Sequence, residues 1–520
     1  MQAGTFAVVL AAAPYKMFDL DRFFVPKELA LLVSATIAIA LVAAAARRWS
    51  IGRVDQLLGA FLAVSTASAL LATNRWLAER SLAITLAGAG CFWVARRLGR
   101  AGLGHPLVAA LALAGVLGAV TALLQAYGLQ TEFVSLNRAP GGTFGNRNFM
   151  AHLCAITLPA LLFTGLAART HAAFLRWCAG AAAVGAALVL SRSRAAWLAF
   201  VLVAVVALVM GALALRRGRD GTKLGRVPIL LLAGIAGGAA SLVIPNTLDW
   251  RSDSPYLDTA KSVVNYREGS GHGRLVQYGN SLKMSARHPL FGVGPGNWTV
   301  EYPRFASRED PSIGSSGMTS NPWSSSDWIT FLSERGLAAT LLLGLAIFAL
   351  LADAWRAMRD DDDSWHRLSA CALVATMAAL IVTGAFDAVL LLPAPAFVGW
   401  SLLGALSAPC RERRAVTMGT ARRVLFVVAI VLAGGAMIAR SALQLQAMAI
   451  AATTGRAASL ERASRLDPGS YRIHLRLAQA YLGQGSCTNA RMHAEAAAAL
   501  FPSAPAPARV LSRCGGLNAR

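Results

Sequence analysis

The chain has 520 residues, of which 56% are hydrophobic, and it combines a mean hydropathy of +0.52 with a formal net charge of +23. Apolar runs of about 20 residues, such as the one at 195–215, match the ~30 Å hydrocarbon core of a bilayer and exclude an ordinary soluble domain. The Lys and Arg residues are spread over many short loops, which indicates cytoplasmic helix ends and argues against a nucleic-acid partner. The composition therefore predicts an all-α, polytopic membrane helix bundle.

The apolar runs predict twelve spanning helices within residues 1–441, and a shorter run at 5–15 is a thirteenth candidate. The twelve runs lie at residues 28–46, 56–73, 81–96, 105–127, 149–167, 172–191, 195–215, 228–245, 328–352, 367–388, 392–408 and 423–441. Alternate loops are rich in arginine, which places those loops in the cytoplasm. The segment 128–148, the segment 246–327 and the tail 442–520 are then predicted to face the periplasm.

The segment 246–327 is far longer than the usual connection between helices, and loops of this length are commonly functional. It is rich in arginine and in aromatic residues. Arginine binds phosphate through two parallel hydrogen bonds, and aromatic faces offer flat apolar platforms that suit sugar rings. This composition predicts a loop that holds a phosphorylated, glycosylated lipid at the membrane edge.

Three stretches resemble the signatures of the O-antigen ligase and polysaccharide polymerase superfamily. They are "GRLVQYGNSLKMSARHPLFGVGPGNW" (Gly273–Trp298), "GGTFGNRNFMAHLCAITLPALL" (Gly141–Leu162) and "SRSRAAWLAF" (Ser191–Phe200). The resemblance covers about residues 25–440. It implies a multi-spanning glycosyltransferase on the outer face of the inner membrane, which moves glycan from undecaprenyl pyrophosphate to an acceptor.

The resemblance implies that Arg194 and Arg274 are catalytic clamps for the pyrophosphate leaving group. The leaving group gains negative charge, which guanidinium groups stabilise without a metal ion or another cofactor. An arginine beside an apolar helix is costly unless it is paired or functional, which favours a substrate contact for Arg192 as well. The alternatives are a helix-end charge that reaches water for Arg194 and an ordinary surface charge for Arg274.

Two further groups of residues match the signatures and are candidates for substrate binding. Asn146 and Asn148 match the "N-x-N" of the family and either bind sugar hydroxyls or fix a loop. Gly292, Gly294 and Gly296 form "GVGPG", which either lets the backbone approach the lipid phosphates or makes a turn.

The chain departs from the family at the residue proposed to activate the acceptor. Ligases of the family carry a histidine and an asparagine at the start of the helix that ends in "E-x-G", and here Ser325 and Ser326 occupy these positions. Because serine cannot act as a general base near neutral pH, Asp327 is predicted as the catalytic substitute, with helix capping as its alternative role. His272 is a candidate substrate contact, and His272 and Glu268 are alternative bases.

The tail contains "AQAYLGQG" (478–485) and an alanine-rich helix after it, a pattern that resembles tetratricopeptide repeats. An ordinary helical hairpin is the alternative. Cys487 opens one predicted helix and Cys514 closes the next, so antiparallel helices would bring the two thiols together. Because the tail is predicted to lie outside the membrane, where disulfides persist, we expect a Cys487–Cys514 bridge, with two free thiols as the alternative.

Together these features predict a metal-independent inner-membrane glycosyltransferase that transfers or polymerises glycan from an undecaprenyl-pyrophosphate-linked donor, for O-antigen, capsule or exopolysaccharide. The acceptor would be a glycan, a lipid or a protein, and a protein O-oligosaccharyltransferase of the same superfamily is the alternative. A lipid-linked glycan transporter would need charges along the bundle interior and internally repeated helices, which the sequence does not show. A non-catalytic scaffold, whose tail binds other polysaccharide-assembly proteins, is the third hypothesis.

Overall fold

A computed structural model of the chain describes residues 1–216, 225–250, 252–261, 269–307, 309–361, 363–408 and 415–517. Helices account for most of these residues, and two short strands, β1 (Arg48–Ser50) and β2 (Ala415–Thr417), form an antiparallel pair. The predicted all-α polytopic bundle is confirmed.

Among the described residues, nine α-helices precede the long segment. They are α1 (Gln2–Leu10), α2 (Asp21–Ala45), α3 (Arg53–Leu70), α4 (Arg75–Leu98), α5 (Gly104–Ala126), α6 (Arg147–Ala167), α7 (His171–Ser191), α8 (Arg194–Arg216) and α9 (Arg226–Val243). At ~1.5 Å rise per residue, α1 is only ~14 Å long, about half the hydrocarbon core. The run at 5–15 therefore does not form a complete crossing.

The long segment is itself folded, and it contains α10 (Pro255–Lys261), α11 (Gly269–Arg287) and α12 (Trp298–Glu301). The side chains of Met284, Trp298 and Tyr302 are buried together in a small core of their own. The hydroxyl of Tyr302 donates to Asp310 at 2.7 Å. The segment is thus a compact unit that can hold α11 in a fixed position.

In the described part that follows the segment there are eight further α-helices, and the last four belong to the tail. They are α13 (Asp327–Asp360), α14 (Ser364–Phe386), α15 (Pro393–Leu406), α16 (Thr420–Thr453), α17 (Ala457–Leu466), α18 (Tyr471–Gly483), α19 (Cys487–Leu500) and α20 (Pro505–Leu517). Helix α16 continues without a break through the predicted domain boundary at residue 441.

Each of the twelve predicted spans falls on a helix, although fewer qualify as crossings by length and hydropathy. Among the described residues, eight stretches qualify, and one of them, Arg75–Ala126, combines α4 with α5. The apolar part of α8 and the whole of α15 fall in a shorter class, and α3 is not among the eight. The bundle is polytopic, and some of its helices are shorter than the sequence suggested.

Helix α6 lies at the centre of the bundle, and its most apolar stretch is completely buried. It packs against α5, α7, α8, α14 and α15.

Small residues allow neighbouring helices to approach closely. For example, a Cβ atom on Gly185 of α7 would lie only 1.9 Å from the carbonyl oxygen of Gly234 of α9.

The four tail helices pack against one end of the bundle, which we call the tail side. Phe18 and Val25 share a buried apolar cluster with Ala447, Leu460 and Ile473. Helix α6 begins at this end, α7 ends there, and α8 begins there again. The tail side therefore gathers the predicted site residues of several helices.

Candidate functional site

Two arginines contact the ring of Trp250 at the tail side. The guanidinium carbon of Arg147 lies 4.8 Å from the ring centroid, and that of Arg192 lies 4.7 Å from it. Arg192 also donates from Nε to the hydroxyl of Thr259 at 2.8 Å. Its φ of 54° lies in the left-handed region, so the chain turns sharply between α7 and α8 at this residue.

Arg138 adds a third positive charge to this group. Its carbonyl oxygen accepts the N–H of Arg147 at 3.0 Å, and the charges of Arg138 and Arg192 both act on Arg147. Within the described ranges, none of the three forms an ion pair with an acidic side chain. Like charges repel one another unless an anion lies between them. We refer to Arg138, Arg147, Arg192 and Trp250 as the cationic cluster.

A second group of polar side chains converges from α6, from the turn before α8, from α11 and from the end of α14. The hydroxyl of Ser193 lies 3.5 Å from Nε2 of His152, and both residues are buried. His152 Nδ1 is also buried and has no hydrogen-bond partner among the described residues. The charges of Arg274 and Asp387 are close enough to act on His152. These four residues form what we call the central group.

Asp387 is half-buried and follows the last residue of α14. Its Oδ1 accepts the N–H of Ala388 at 2.9 Å. The second oxygen has no hydrogen bond or ion pair to any described residue. An accessible carboxylate oxygen within hydrogen-bond reach of a hydroxyl group can accept its proton.

The arginines predicted as clamps lie at this end of the bundle. Arg194 begins α8 directly after Ser193, is half-buried and is not without a partner. Arg274 lies in the second turn of α11 and is half-buried. The structure therefore brings both arginines and Arg192 to the tail side, while their role as clamps stays a prediction.

Helix α11 is held in place by hydrogen bonds to neighbouring helix ends. Gln277 Oε1 accepts the N–H of Ser325 at 2.6 Å. The hydroxyl of Tyr278 donates to the carbonyl oxygens of Ser325 at 2.7 Å and Ala385 at 3.0 Å. These bonds fix the turn that carries Arg274, whereas His272 in the preceding turn is exposed.

The two asparagines differ in their surroundings. Asn146 is buried, and its Oδ1 accepts the N–H of Asn148 at 3.0 Å, which caps α6. Asn148 is half-buried in the first turn of α6. The geometry of Asn146 favours the loop-fixing alternative, and sugar binding by either residue stays a prediction.

The three glycines form a loop that packs tightly against α13. All have positive φ, at 64° for Gly292, 98° for Gly294 and 71° for Gly296. The N–H of Gly294 donates to the carbonyl of Glu334 at 2.8 Å, next to Gly336, whose φ of 78° interrupts α13. Glycine is required because other residues rarely adopt these angles. The contacts support the turn alternative, and contact with lipid phosphates stays a prediction.

The surroundings of Asp327 do not resemble those of a general base. The side chain is completely buried, Oδ1 accepts the N–H of Val389 at 2.9 Å, and Oδ2 accepts that of Leu390 at 2.8 Å. Both oxygens are thus used to tie the start of α13 to the loop after α14. These bonds to another segment also differ from the alternative role predicted for Asp327, which was to cap its own helix. Ser326 donates to Gly384 O at 3.1 Å.

The remaining predicted residues are divided between the tail and undescribed positions. Glu268 lies outside the described residues. Cys514 Sγ lies 3.9 Å from the carbonyl oxygen of Cys487, as expected for neighbouring helices. Both are free thiols in the structure, so the predicted bridge is not formed there, and its formation in the cell stays a prediction.

Several residues of the site were missed in the sequence. Arg147 lies between the two asparagines of the "N-x-N" motif, and its position in the signature was the available signal. His152 is a titratable residue within an apolar helix, which is costly enough to indicate function. Arg138 and Asp387 lie in loops and have no comparable local pattern, whereas Trp250 is one of the aromatic residues that marked the segment 246–327.

Residues 179–344 match a family model described as O-antigen ligase. Among curated proteins, none matches the chain. The matched region includes Arg192, Arg194 and Arg274, and it confirms the resemblance to the superfamily of membrane ligases and polymerases that the signatures indicated. The resemblance of the tail to tetratricopeptide repeats stays a prediction.

Proposed function

From the match of residues 179–344 to the O-antigen ligase family model, we propose that this chain transfers or polymerises glycan from an undecaprenyl-pyrophosphate-linked donor. In this proposal the tail side faces the periplasm, in agreement with the arginine-rich loops that follow alternate helices. The product is a surface polysaccharide such as O-antigen, capsule or exopolysaccharide.

The cationic cluster is the observation that supports this proposal most directly. It places Arg138, Arg147 and Arg192 together without an acidic partner in the described part of the chain. A pyrophosphate supplies several negative oxygens and can accept hydrogen bonds from more than one guanidinium group. Trp250 contributes an apolar face between the membrane helices and the polar head of the donor. The cluster is therefore suited to the pyrophosphate of a lipid carrier.

The central group lies where the chemistry would take place. The acceptor hydroxyl oxygen attacks the anomeric carbon of the donor sugar, and the bond from that carbon to the phosphate oxygen breaks. Its electron pair leaves with the pyrophosphate, whose growing negative charge Arg274 and Arg194 stabilise. The proton of the acceptor hydroxyl passes to the open oxygen of Asp387. His152 from α6 and Ser193 from the turn before α8 position the groups around this point.

Asp387 takes the role of general base in place of Asp327. Both oxygens of Asp327 already accept backbone N–H groups, and the side chain is completely buried. Asp387 is half-buried and has one oxygen available. Substrate access therefore favours Asp387.

Binding of undecaprenyl pyrophosphate by the purified protein in nanodiscs tests this proposal. A hydrogen bond to a charged group contributes about 1.5–3 kcal/mol, so Arg147→Ala and Arg192→Ala should each raise Kd about tenfold or more. Arg513→Ala, which removes an exposed arginine of the tail, is the matched control and should bind like the wild type. Equal binding by all four proteins would remove the cationic cluster from donor recognition.

A further inference from the structure

A cavity of about 920 Å³ lies at the tail side, between the membrane helices and the tail. Its walls come from the starts of α2 and α4, from the loops 130–138 and 318–323, and from residues 467–472 of the tail. Glu334 and Gly296 also contribute to its lining. The tail thus forms one wall of a space whose other walls belong to the membrane bundle.

The charged residues that line this cavity are balanced. Five are basic and five are acidic, and they are Lys16, Arg22, Arg80, Arg138, Arg472, Asp19, Asp21, Glu132, Glu334 and Asp467. The cationic cluster, in contrast, has no acidic partner among the described residues. Because binding sites complement the charge of their ligands, the cavity suits a ligand rich in hydroxyl groups rather than a polyanion.

Aromatic side chains provide the apolar part of the lining. Trp323 comes from the membrane domain, and Tyr471 and Phe501 come from the tail. The ring of Trp76 also borders the cavity, but it is covered by Gly469 and Arg440. The rings of Tyr471 and Phe501 pack edge to face with centroids 5.1 Å apart, and Trp323 packs against Phe24 at 5.3 Å. These contacts fix the rings as rigid platforms. Rigid aromatic faces beside hydrogen-bonding side chains are suited to carbohydrate.

Contacts with α4 hold the tail wall in place. The indole Nε1 of Trp76 donates to Asp467 Oδ1 at 3.0 Å, and Gly469 packs so closely on the same ring that a Cβ atom would lie 1.8 Å from it. The side chain of Asn74 donates to the carbonyl of Leu500 at 3.0 Å. The tail is therefore docked on the membrane domain at the cavity itself.

Arg138 joins the cavity to the cationic cluster. Arg138 contributes to the lining of the cavity, and its carbonyl oxygen accepts the N–H of Arg147. A glycan in the cavity would therefore lie beside the pyrophosphate of a bound donor. This is the position that an attacking acceptor requires.

We propose that this cavity binds the acceptor glycan and that the C-terminal tail forms its specificity-determining wall. The inference rests on the proposed function only in calling the bound glycan the acceptor. Recognition of a glycan by the cavity is argued from the residues that line it. Tyr471 and Phe501 are the tail residues that would contact sugar rings.

Photo-crosslinking in native membranes tests the inference on the full-length protein. Tyr471→p-benzoylphenylalanine and Phe501→p-benzoylphenylalanine place a reactive group in the cavity wall, and Arg513→p-benzoylphenylalanine places it on an exposed surface of the same tail. After irradiation, mass spectrometry of peptides should find sugar adducts at position 471 or 501 and none at position 513. Phospholipid alone, peptide alone or no adduct at both cavity positions would overturn the inference.

Undecaprenyl pyrophosphate binding separates this inference from the proposed function. The two cavity variants should bind that lipid with unchanged Kd, since neither residue belongs to the cationic cluster, and unchanged binding also shows that they fold. If the wild type fails to bind the lipid while glycan still crosslinks at position 471, the proposed function is wrong and the glycan site stands. If the wild type binds the lipid and no glycan crosslinks, the glycan site is wrong and the proposed function stands.

Discussion

Replacing Asp467 by asparagine should strengthen the docking of the tail at neutral pH. Asp467 is buried between the tail and α4, where its Oδ1 accepts the indole N–H of Trp76 at 3.0 Å. Burial raises the pKa of Asp467 from its ordinary value of 3.8 to about 6, against the opposing charge of Arg80. Asparagine keeps an oxygen for Trp76 and carries no charge that burial would penalise.

The expected magnitude follows from this pKa. A rise from 3.8 to about 6 corresponds to ~3 kcal/mol. Because the carboxyl binds its proton more tightly in the docked tail, this stabilisation is fully present below pH ~3.8 and is lost as the pH rises through about 6. Asp467→Asn should therefore gain up to ~3 kcal/mol of docking free energy at pH 7 and should lose this part of the pH dependence.

Hydrogen exchange of the α18 peptides, corrected for the intrinsic effect of pH, measures the docking free energy. Other titratable groups of the tail, including Glu461, His474 and His493, remain in both proteins. The informative quantity is thus the difference between Asp467→Asn and the wild type at pH 5 and pH 7. A difference that does not change with pH, or a variant tail that exchanges faster at pH 7, would refute the reasoning.

Three other predictions concern the glycine loop, metals and the tail cysteines. Gly292→Ala should lower the yield of monodisperse protein, because φ is 64° and the new Cβ atom would lie 2.3 Å from the carbonyl carbon of Glu334, whereas Gly344→Ala has open space and is the control. Glycan transfer should be unchanged by EDTA, because the proposed clamp uses guanidinium groups; loss of activity that Mg²⁺ restores would contradict this. Mass spectrometry of non-reduced peptides, alkylated at lysis, should find the Cys487–Cys514 bridge, and two alkylated thiols would exclude it.

The bundle could be predicted from the sequence because hydropathy acts locally along each helix. Each predicted span falls on a helix, and the differences concern length: α15 is shorter than its predicted span, and the candidate run at 5–15 contributes only to the short helix α1. The thickness of the bilayer determines the length of an average spanning helix. A shorter helix can instead be covered by its neighbours in the bundle. The central position of α6 was not predicted, because it depends on packing rather than on the composition of α6.

The site was predictable only where a local signature marks it. Arg194 and Arg274 were found from such signatures, and both lie at the tail side. The cationic cluster joins Arg138, Arg147 and Trp250 from separate parts of the chain, and this proximity arises only from the packed fold. Asp327 was selected because it was nearest in sequence to the missing histidine, but the fold uses its carboxylate to hold a loop.

The role of the arginines is tested most directly by glycan transfer from an undecaprenyl-pyrophosphate-linked donor in reconstituted membranes. Loss of one positioned charge donor costs about 2.7–4 kcal/mol, so Arg274→Ala should reduce the rate about 100- to 1000-fold. Arg274→Lys should recover only part of the loss because the paired hydrogen bonds are not restored, and Arg513→Ala should transfer like the wild type. Wild-type rates in Arg274→Ala would contradict the clamp, and absence of transfer by the wild-type protein would contradict the proposed function itself.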